Sequence, residues 1–151
     1  MKALNELKIA IASDHAGYGL KTGITPWLAD HIAVLHDFGT YSPDSCDYSD
    51  FGHKLADAVE KGEYDYGIAI CGSGNGINMT VNKHQGIRAA LCWSPELAAL
   101  ARQHNNANIL SLPGRFVKAD EALNMVKIFL TTDFEGGRHQ RRIDKIPLQP
   151  K

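Results

Sequence analysis

Tyr66-Gly67-Ile68-Ala69-Ile70-Cys71-Gly72-Ser73-Gly74-Asn75-Gly76-Ile77-Asn78 is the stretch that decides the fold. Its first five residues form an apolar run with the length and composition of a buried strand. Glycines at every second position follow, permitting a tight turn and close approach of a ligand to backbone N–H groups. Ile77 to Lys83 reads as the next helix, so strand, glycine-rich turn and helix N-terminus together form an anion-binding cradle. Cys71 stands at its lip. A thiol facing a helix N-terminus has its thiolate stabilised, and its pKa is expected to fall below the reference of about 8.5. The combination points to catalysis on an anionic small molecule. The glycine spacing is not the G-x-G-x-x-G of dinucleotide sites, and the lysine and hydroxyl of a phosphate-binding NTPase loop are missing.

Outward from this unit, apolar runs and helical segments alternate. Leu7 to Ala12 is a strand ending in the polar turn Ser13-Asp14-His15-Ala16-Gly17, and Tyr18 to Ile32 has helical length, with Gly23 and Pro26 weakening its centre. Ala33 to Phe38 is a second strand, and Asp50 is a candidate cap for a helix that runs to Lys61 and stops at Gly62. Ile87 to Cys92 is a fourth strand. Ser94-Pro95-Glu96 opens a helix to about Gln103 with a capping serine, proline at the first position and an acid near the positive end. Asn108 to Leu112 is a fifth strand, Ala119 to Thr131 a helix with one apolar face, and Arg138 to Lys145 a basic helix stopped by Pro147. This order predicts a single α/β domain, a three-layer Rossmann-like sandwich with an open parallel sheet of about five strands and helices on both faces. Its core spans about residues 7–146, with a C-terminal tail expected to fray. Ligands of such sheets bind beyond the carboxyl ends of the strands, near which His15, Cys71 and the 105–108 region are expected.

At 151 residues the chain can bury one core and is too short to expect two domains. Hydrophobic content of 44%, charged content of 22% and a formal net charge of -1 leave no general attraction for nucleic acid or an anionic membrane. No apolar run approaches the ~20 residues that cross a bilayer, and the first residues lack the pattern of a signal peptide. Cys46, Cys71 and Cys92 have no zinc-type spacing and, being odd in number, fit a reducing, cytoplasmic compartment. With no H-E-x-x-H or C-x-x-C, neither a metal nor another cofactor is expected.

Three basic groups could bind the charged end of a substrate. Arg138 and Arg142 lie four apart on one helix face, and Arg115 follows Pro113-Gly114. His15 and His104 lie in polar turns and could donate a proton or bind a phosphate. His31, His36, His53 and His84 read as structural or exposed, and Cys46 and Cys92 as loop and packing residues.

The blocks Ser13-Asp14-His15-Ala16-Gly17, Asp47-Tyr48, Cys71-Gly72-Ser73-Gly74-Asn75-Gly76-Ile77, Asn82-Lys83, Gly86-Ile87-Arg88-Ala89, Arg102-Gln103-His104-Asn105, Asn108 and Glu135-Gly136-Gly137-Arg138-His139-Gln140-Arg141-Arg142 occur in this order. Together they resemble ribose-5-phosphate isomerase type B, of the larger family that includes galactose-6-phosphate isomerase subunits. The resemblance implies metal-independent interconversion of ribose 5-phosphate and ribulose 5-phosphate in the pentose phosphate pathway. It implies that Cys71 is the proton-abstracting base and His104 the acid that opens the furanose ring. Gly72, Ser73, Gly74, Asn75 and Gly76 would hold the enediolate, with the Ser73 hydroxyl assisting. Asp14, His15, Tyr48 and Asn105 would contact the sugar or its phosphate, and Arg115, Arg138 and Arg142 would complete the anion site. It also implies a homodimer or homotetramer with active sites shared between subunits. Asn75 stands where relatives commonly carry a small apolar residue, which could alter the sugar that fits. An isomerase of allose 6-phosphate or galactose 6-phosphate, a non-catalytic sugar-phosphate binding protein and a nucleotide-binding module are the competing readings.

Overall fold

A computed structural model describes residues 1–148 of the chain. After a 3-10 turn at Leu4–Glu6, strands and helices alternate. The first half holds β1 (Lys8–Ser13), α1 (Tyr18–His31), β2 (Val34–Asp37), α2 (Tyr48–Glu60), β3 (Tyr66–Cys71) and α3 (Asn75–Val81). The second holds β4 (Ala89–Leu91), α4 (Pro95–Asn105), β5 (Ile109–Pro113), α5 (Ala119–Thr131) and α6 (Arg138–Ile143). The strands form one parallel sheet in the order β2-β1-β3-β5-β4. The expected open sheet with helices on both faces is therefore what the chain forms.

The two-residue period of the strands divides the core. Ile9, Ile11, Ile68, Ile70, Leu110 and Leu112 face Leu20, Ile24 and Leu28 of α1, Ala98 and Ala101 of α4, and Met125, Val126 and Phe129 of α5. Ala10, Ala12, Ala69, Cys71 and Ile109 face Leu55, Ala56 and Val59 of α2 and Ile77 and Val81 of α3. Small residues on this second face let α2 lie close to the sheet. Adjacent strands β1 and β3 thus send their following helices to opposite faces, leaving a crevice at their carboxyl ends.

Local chemistry explains most boundaries. The Ser94 hydroxyl accepts from the Leu97 N–H at 3.4 Å, capping α4 as expected. Pro26 does not end α1: the Thr25 hydroxyl donates at 3.4 Å to the Thr22 carbonyl, which Pro26 leaves without its usual N–H. Helix α2 starts at Tyr48, so Asp50 lies in its first turn and is not the cap; α3 starts at Asn75, two residues before the expected Ile77. Helix α4 continues to Asn105, and α6 stops at Ile143, short of Lys145. The expected fraying past Ile146 falls partly on residues 149–151, outside the described residues, while the Leu148 N–H donates to Gln85 Oε1 at 2.7 Å.

Two buried cations fasten the ends of the sheet. Lys21 Nζ, on α1, donates to Asp37 Oδ1 at 2.7 Å and to the Thr40 carbonyl at 2.5 Å. Ser13 N–H donates to Gly39 O, and Thr40 N–H to Ser13 O, each at 2.7 Å, so this segment fixes the carboxyl end of β1. At the opposite end Arg102 donates to the Ala107 carbonyl at 2.6 Å, Asn106 Oδ1 at 2.9 Å and the Thr132 carbonyl at 3.3 Å, with its guanidinium over the Tyr66 ring. Lys21→Met should lower stability by about 1–3 kcal/mol in urea denaturation, because Asp37 and Thr40 lose a donor in a buried setting. An unchanged midpoint would mean that the ammonium merely offsets its own desolvation.

Candidate active site

The crevice between β1 and β3 opens into a cavity of about 540 Å³. Asp14, His15 and Ala16 reach it from the end of β1, and Cys71, Gly72, Ser73 and Gly76 from the turn after β3. Ser45, Cys46, Asp47 and Tyr48 come from the segment leading into α2, and Arg115 follows β5. Buried Asp14 accepts from the Gly17 N–H at 3.0 Å. His15 Nδ1 accepts from the Cys46 N–H at 3.2 Å, which draws the 45–48 segment across the crevice and leaves Nε2 as the ring's other nitrogen.

The turn after β3 needs glycine for identifiable reasons. Gly74 has φ +80, and a Cβ there would lie 2.4 Å from Leu91 Cδ1. A Cβ on Gly76 would lie 2.5 Å from the Tyr48 ring, so the tyrosine seats directly on the backbone of the loop. Ser73 Oγ accepts from the Asn75 N–H at 3.3 Å, which leaves its proton free to donate. Asn75 itself lies along a neighbouring groove with Leu91, Trp93, Pro113 and Phe116, and not on the lining of the cavity.

Cys71 does not have the lowered pKa expected of it. Burial pushes the thiol up and the Asp14 carboxylate adds to the rise, against the backbone N–H groups of Ile77, Gly74 and Gly76. The physical reason is position: as the last residue of β3 it points under α3 and is only 3% exposed. Cys92 is a core residue, as read from the sequence, and burial pushes it up to about 12. Cys46, read as a loop residue, lines the same cavity as Cys71.

The remaining sequence candidates lie elsewhere. Asn108, just after α4, has its carbonyl paired with the N–H of Gly67, at the start of β3. Helix α4 therefore returns His104 and Asn105 to the amino ends of the strands, not the carboxyl ends as expected. Gly67 and Cys71 are four steps apart along β3, roughly 13 Å at ~3.3 Å per residue. Arg138 and Arg142 belong to the His104 end, since α6 packs on α4 and the His139 ring stacks on His104 with centroids 4.4 Å apart. The structure thus gathers Asp14, His15, Tyr48, Cys71, Gly72, Ser73, Gly76 and Arg115 in one group and His104, Asn105, Arg138 and Arg142 in another.

Several residues of the sequence blocks hold backbone in place. Asn82 bonds both the N–H and the carbonyl of Ala89, at 2.9 and 3.0 Å, standing in for a strand partner of β4. Asn108 accepts from the Arg88 N–H at 2.8 Å and donates to the Gly86 carbonyl at 2.9 Å. Arg88 in turn holds the carbonyls of Asn105 and Asn106. His53 and His84, read from the sequence as structural or exposed, bond each other at 2.8 Å. Sequence reasoning missed Ser45 and Asp47 on the cavity wall, and Glu135 and His139 beside His104. The Asp47-Tyr48 and Glu135–Arg142 blocks were the signals that could have found three of these four.

The family model for ribose/galactose isomerases matches residues 9–146. Ribose-5-phosphate isomerase B of Escherichia coli is 42% identical over 139 residues, covering 92% of this chain and 93% of the relative. The crystal structure of a ribose 5-phosphate isomerase from Thermotoga maritima superposes with a TM-score of 0.91 at 50% identity, covering 93% of this chain and 97% of that one. Ribose-5-phosphate isomerase B from Mycoplasma genitalium, solved with bound ribulose-5-phosphate, gives a TM-score of 0.87 at 49% identity over 92% of this chain and 93% of that one.

The electrostatics of Cys71 can be tested on the free protein. Its alkylation rate against pH should reach its midpoint above the ordinary thiol range. Asp14→Asn should move that midpoint downward, since Asp14 contributes to the rise. A midpoint that stays fixed or climbs in the variant would contradict the Asp14–Cys71 coupling.

Proposed function

The chain belongs to the ribose/galactose isomerase family, and we propose that Cys71 is the base with which this ribose-5-phosphate isomerase interconverts ribose 5-phosphate and ribulose 5-phosphate. The observation that carries the reading is the placement of a buried thiol in the 540 Å³ cavity beneath the N–H groups of its own loop. His104 donates a proton to the ring oxygen as the C1–O4 bond breaks and the C1 hydroxyl loses its proton, giving the open aldehyde. The Cys71 thiolate takes the proton from C2, and O1 is protonated as the enediol forms. The proton then returns to C1 as the O2 hydroxyl gives up its own, leaving the ketose.

Each group has a physical task. The backbone N–H groups of Gly72 and Ser73 and the Ser73 hydroxyl face the oxygens on which negative charge develops. A thiol held above its ordinary range is the stronger base once ionised, which suits a weakly acidic C–H; the loop N–H groups offset part of the cost of ionising it. Asp14, His15 and Tyr48 orient the sugar, and Arg115, Arg138 and Arg142 grip the unreacting phosphate, whose binding energy holds C2 against the thiolate.

Cys71 and His104 lie at opposite ends of one sheet, which supports a working unit of at least two copies. In that arrangement the α4–α6 end of one subunit closes the Cys71 cavity of another, in a symmetric dimer. No helix among the described residues is long and apolar enough to cross a membrane. Together with three free cysteines, that supports a reducing cytoplasmic setting.

Cys71→Ala should lower ribose 5-phosphate turnover by at least ~10²-fold, the lower range for a positioned base. Calorimetric binding of the sugar phosphate should persist, because the anion site uses other residues. Turnover within tenfold of the parent would remove Cys71 as the base.

A further inference from the structure

Beside His104, at the junction of α4 and α6, lies a cluster that the mechanism above does not use. Glu135 Oε1 is 3.8 Å from His104 Nε2 and 3.6 Å from His139 Nε2. The two imidazoles are stacked, with centroids 4.4 Å apart and planes inclined by 12°. His139 is 6% exposed, and its buried Nε2 has no hydrogen-bond partner. The Glu135 N–H donates to the Gln103 carbonyl at 3.0 Å, so the carboxylate is anchored to the residue preceding His104.

Two histidines and a carboxylate at these spacings invite a metal-site reading. The stacking argues against it. A histidine ligand holds its metal close to its own ring plane, about 2.0–2.1 Å from the nitrogen. One ion cannot lie in two nearly parallel planes separated by a stack.

We infer that Glu135 is a positioning residue: its carboxylate, with the stacked ring of His139, holds the His104 imidazole in the orientation from which it protonates the sugar ring. The inference rests on the reading of His104 as the ring-opening acid. A carboxylate that engages one N–H of a catalytic imidazole fixes the ring and leaves its other nitrogen for the reaction. The present separations are longer than a hydrogen bond, and such contacts shorten when substrate is bound. His139 is the flat wall on the other side. Burial, Arg138, the His104 ring and Arg142 hold its pKa below the ordinary histidine value against the pull of Glu135. The lowering favours its uncharged form, so it adds little repulsion to a proton on His104. Glu135, His139, Arg138 and Arg142 are the titratable and charged groups around this ring pair.

The test is a double-mutant cycle of Glu135→Gln and His104→Asn, which separates action through His104 from a purely structural role. Glu135 is half exposed, so the Gln variant should fold with an unchanged melting temperature. Glu135→Gln in the parent should lower kcat for ribose 5-phosphate by roughly ten- to a hundredfold, the cost of a misplaced catalytic group. In the His104→Asn background the same change should cost less than about twofold, because the group it positions is gone. Exchange of the C1 protons of ribulose 5-phosphate with solvent deuterium needs the base and not the ring-opening acid, so it should persist in Glu135→Gln. Equal losses in both backgrounds, or no loss in the parent while His104→Asn is impaired, would overturn the positioning role alone. Full activity in His104→Asn would overturn the role of His104 and this inference with it.

Discussion

The parallel pairing of β1 with β3 is the constraint on which the rest of the site depends. Ser13 lies beside Ile70 and Ala12 beside Ala69, so the two strands end together at the centre of the sheet. Their following helices leave to opposite faces, and neither connection covers the point where they end. The register is enforced by the core. Ile68 and Ile70 must face α1 and α5, which puts Ala69 and Cys71 toward α2 and α3. A slip of one residue would turn the isoleucines onto the alanine-lined face and carry the thiol away from its loop. The direction of the proposed base is thus a by-product of burying its neighbours.

The same geometry separates Cys71, the proposed base, from His104, the proposed acid. A helix that follows a parallel strand must run back along the sheet, so the far end of α4 meets the amino ends of β3 and β5. Arg102 fastens this end, because a guanidinium buried at 4% exposure that lost its carbonyl partners would stand as an uncompensated buried charge. His104 and the strap carrying Glu135 are held by that anchor. Residues held apart in this way fit the proposed shared site better than a single chain that would have to fold onto itself.

Much of the fold was legible in the sequence because hydrophobic period and end signals agreed. The apolar run at 66–70, the Ser94-Pro95 start and the Ala119–Thr131 helix each specify one outcome from local chemistry. Features decided by depth or by distant contacts were not legible. A helix N-terminus after Cys71 argued for an acidic thiol, and the desolvation that outweighs it depends on how α3 covers the strand end. The 105–108 region after His104 is expected at the carboxyl ends because its turn looks like any polar turn; only the direction of α4 distinguishes the two. Ser45 and Asp47 sit in a segment without periodicity, and their place on the cavity follows from the His15–Cys46 hydrogen bond.

A site shared between subunits is tested most directly by mixing two inactive variants, Cys71→Ala and His104→Asn, under conditions of verified subunit exchange. Each mixed dimer would hold one site with both residues intact and one lacking both. Random exchange makes about half the dimers mixed, so roughly a quarter of parental activity should return. No recovery would place Cys71 and His104 of each site in the same chain and contradict the division of the active site described above.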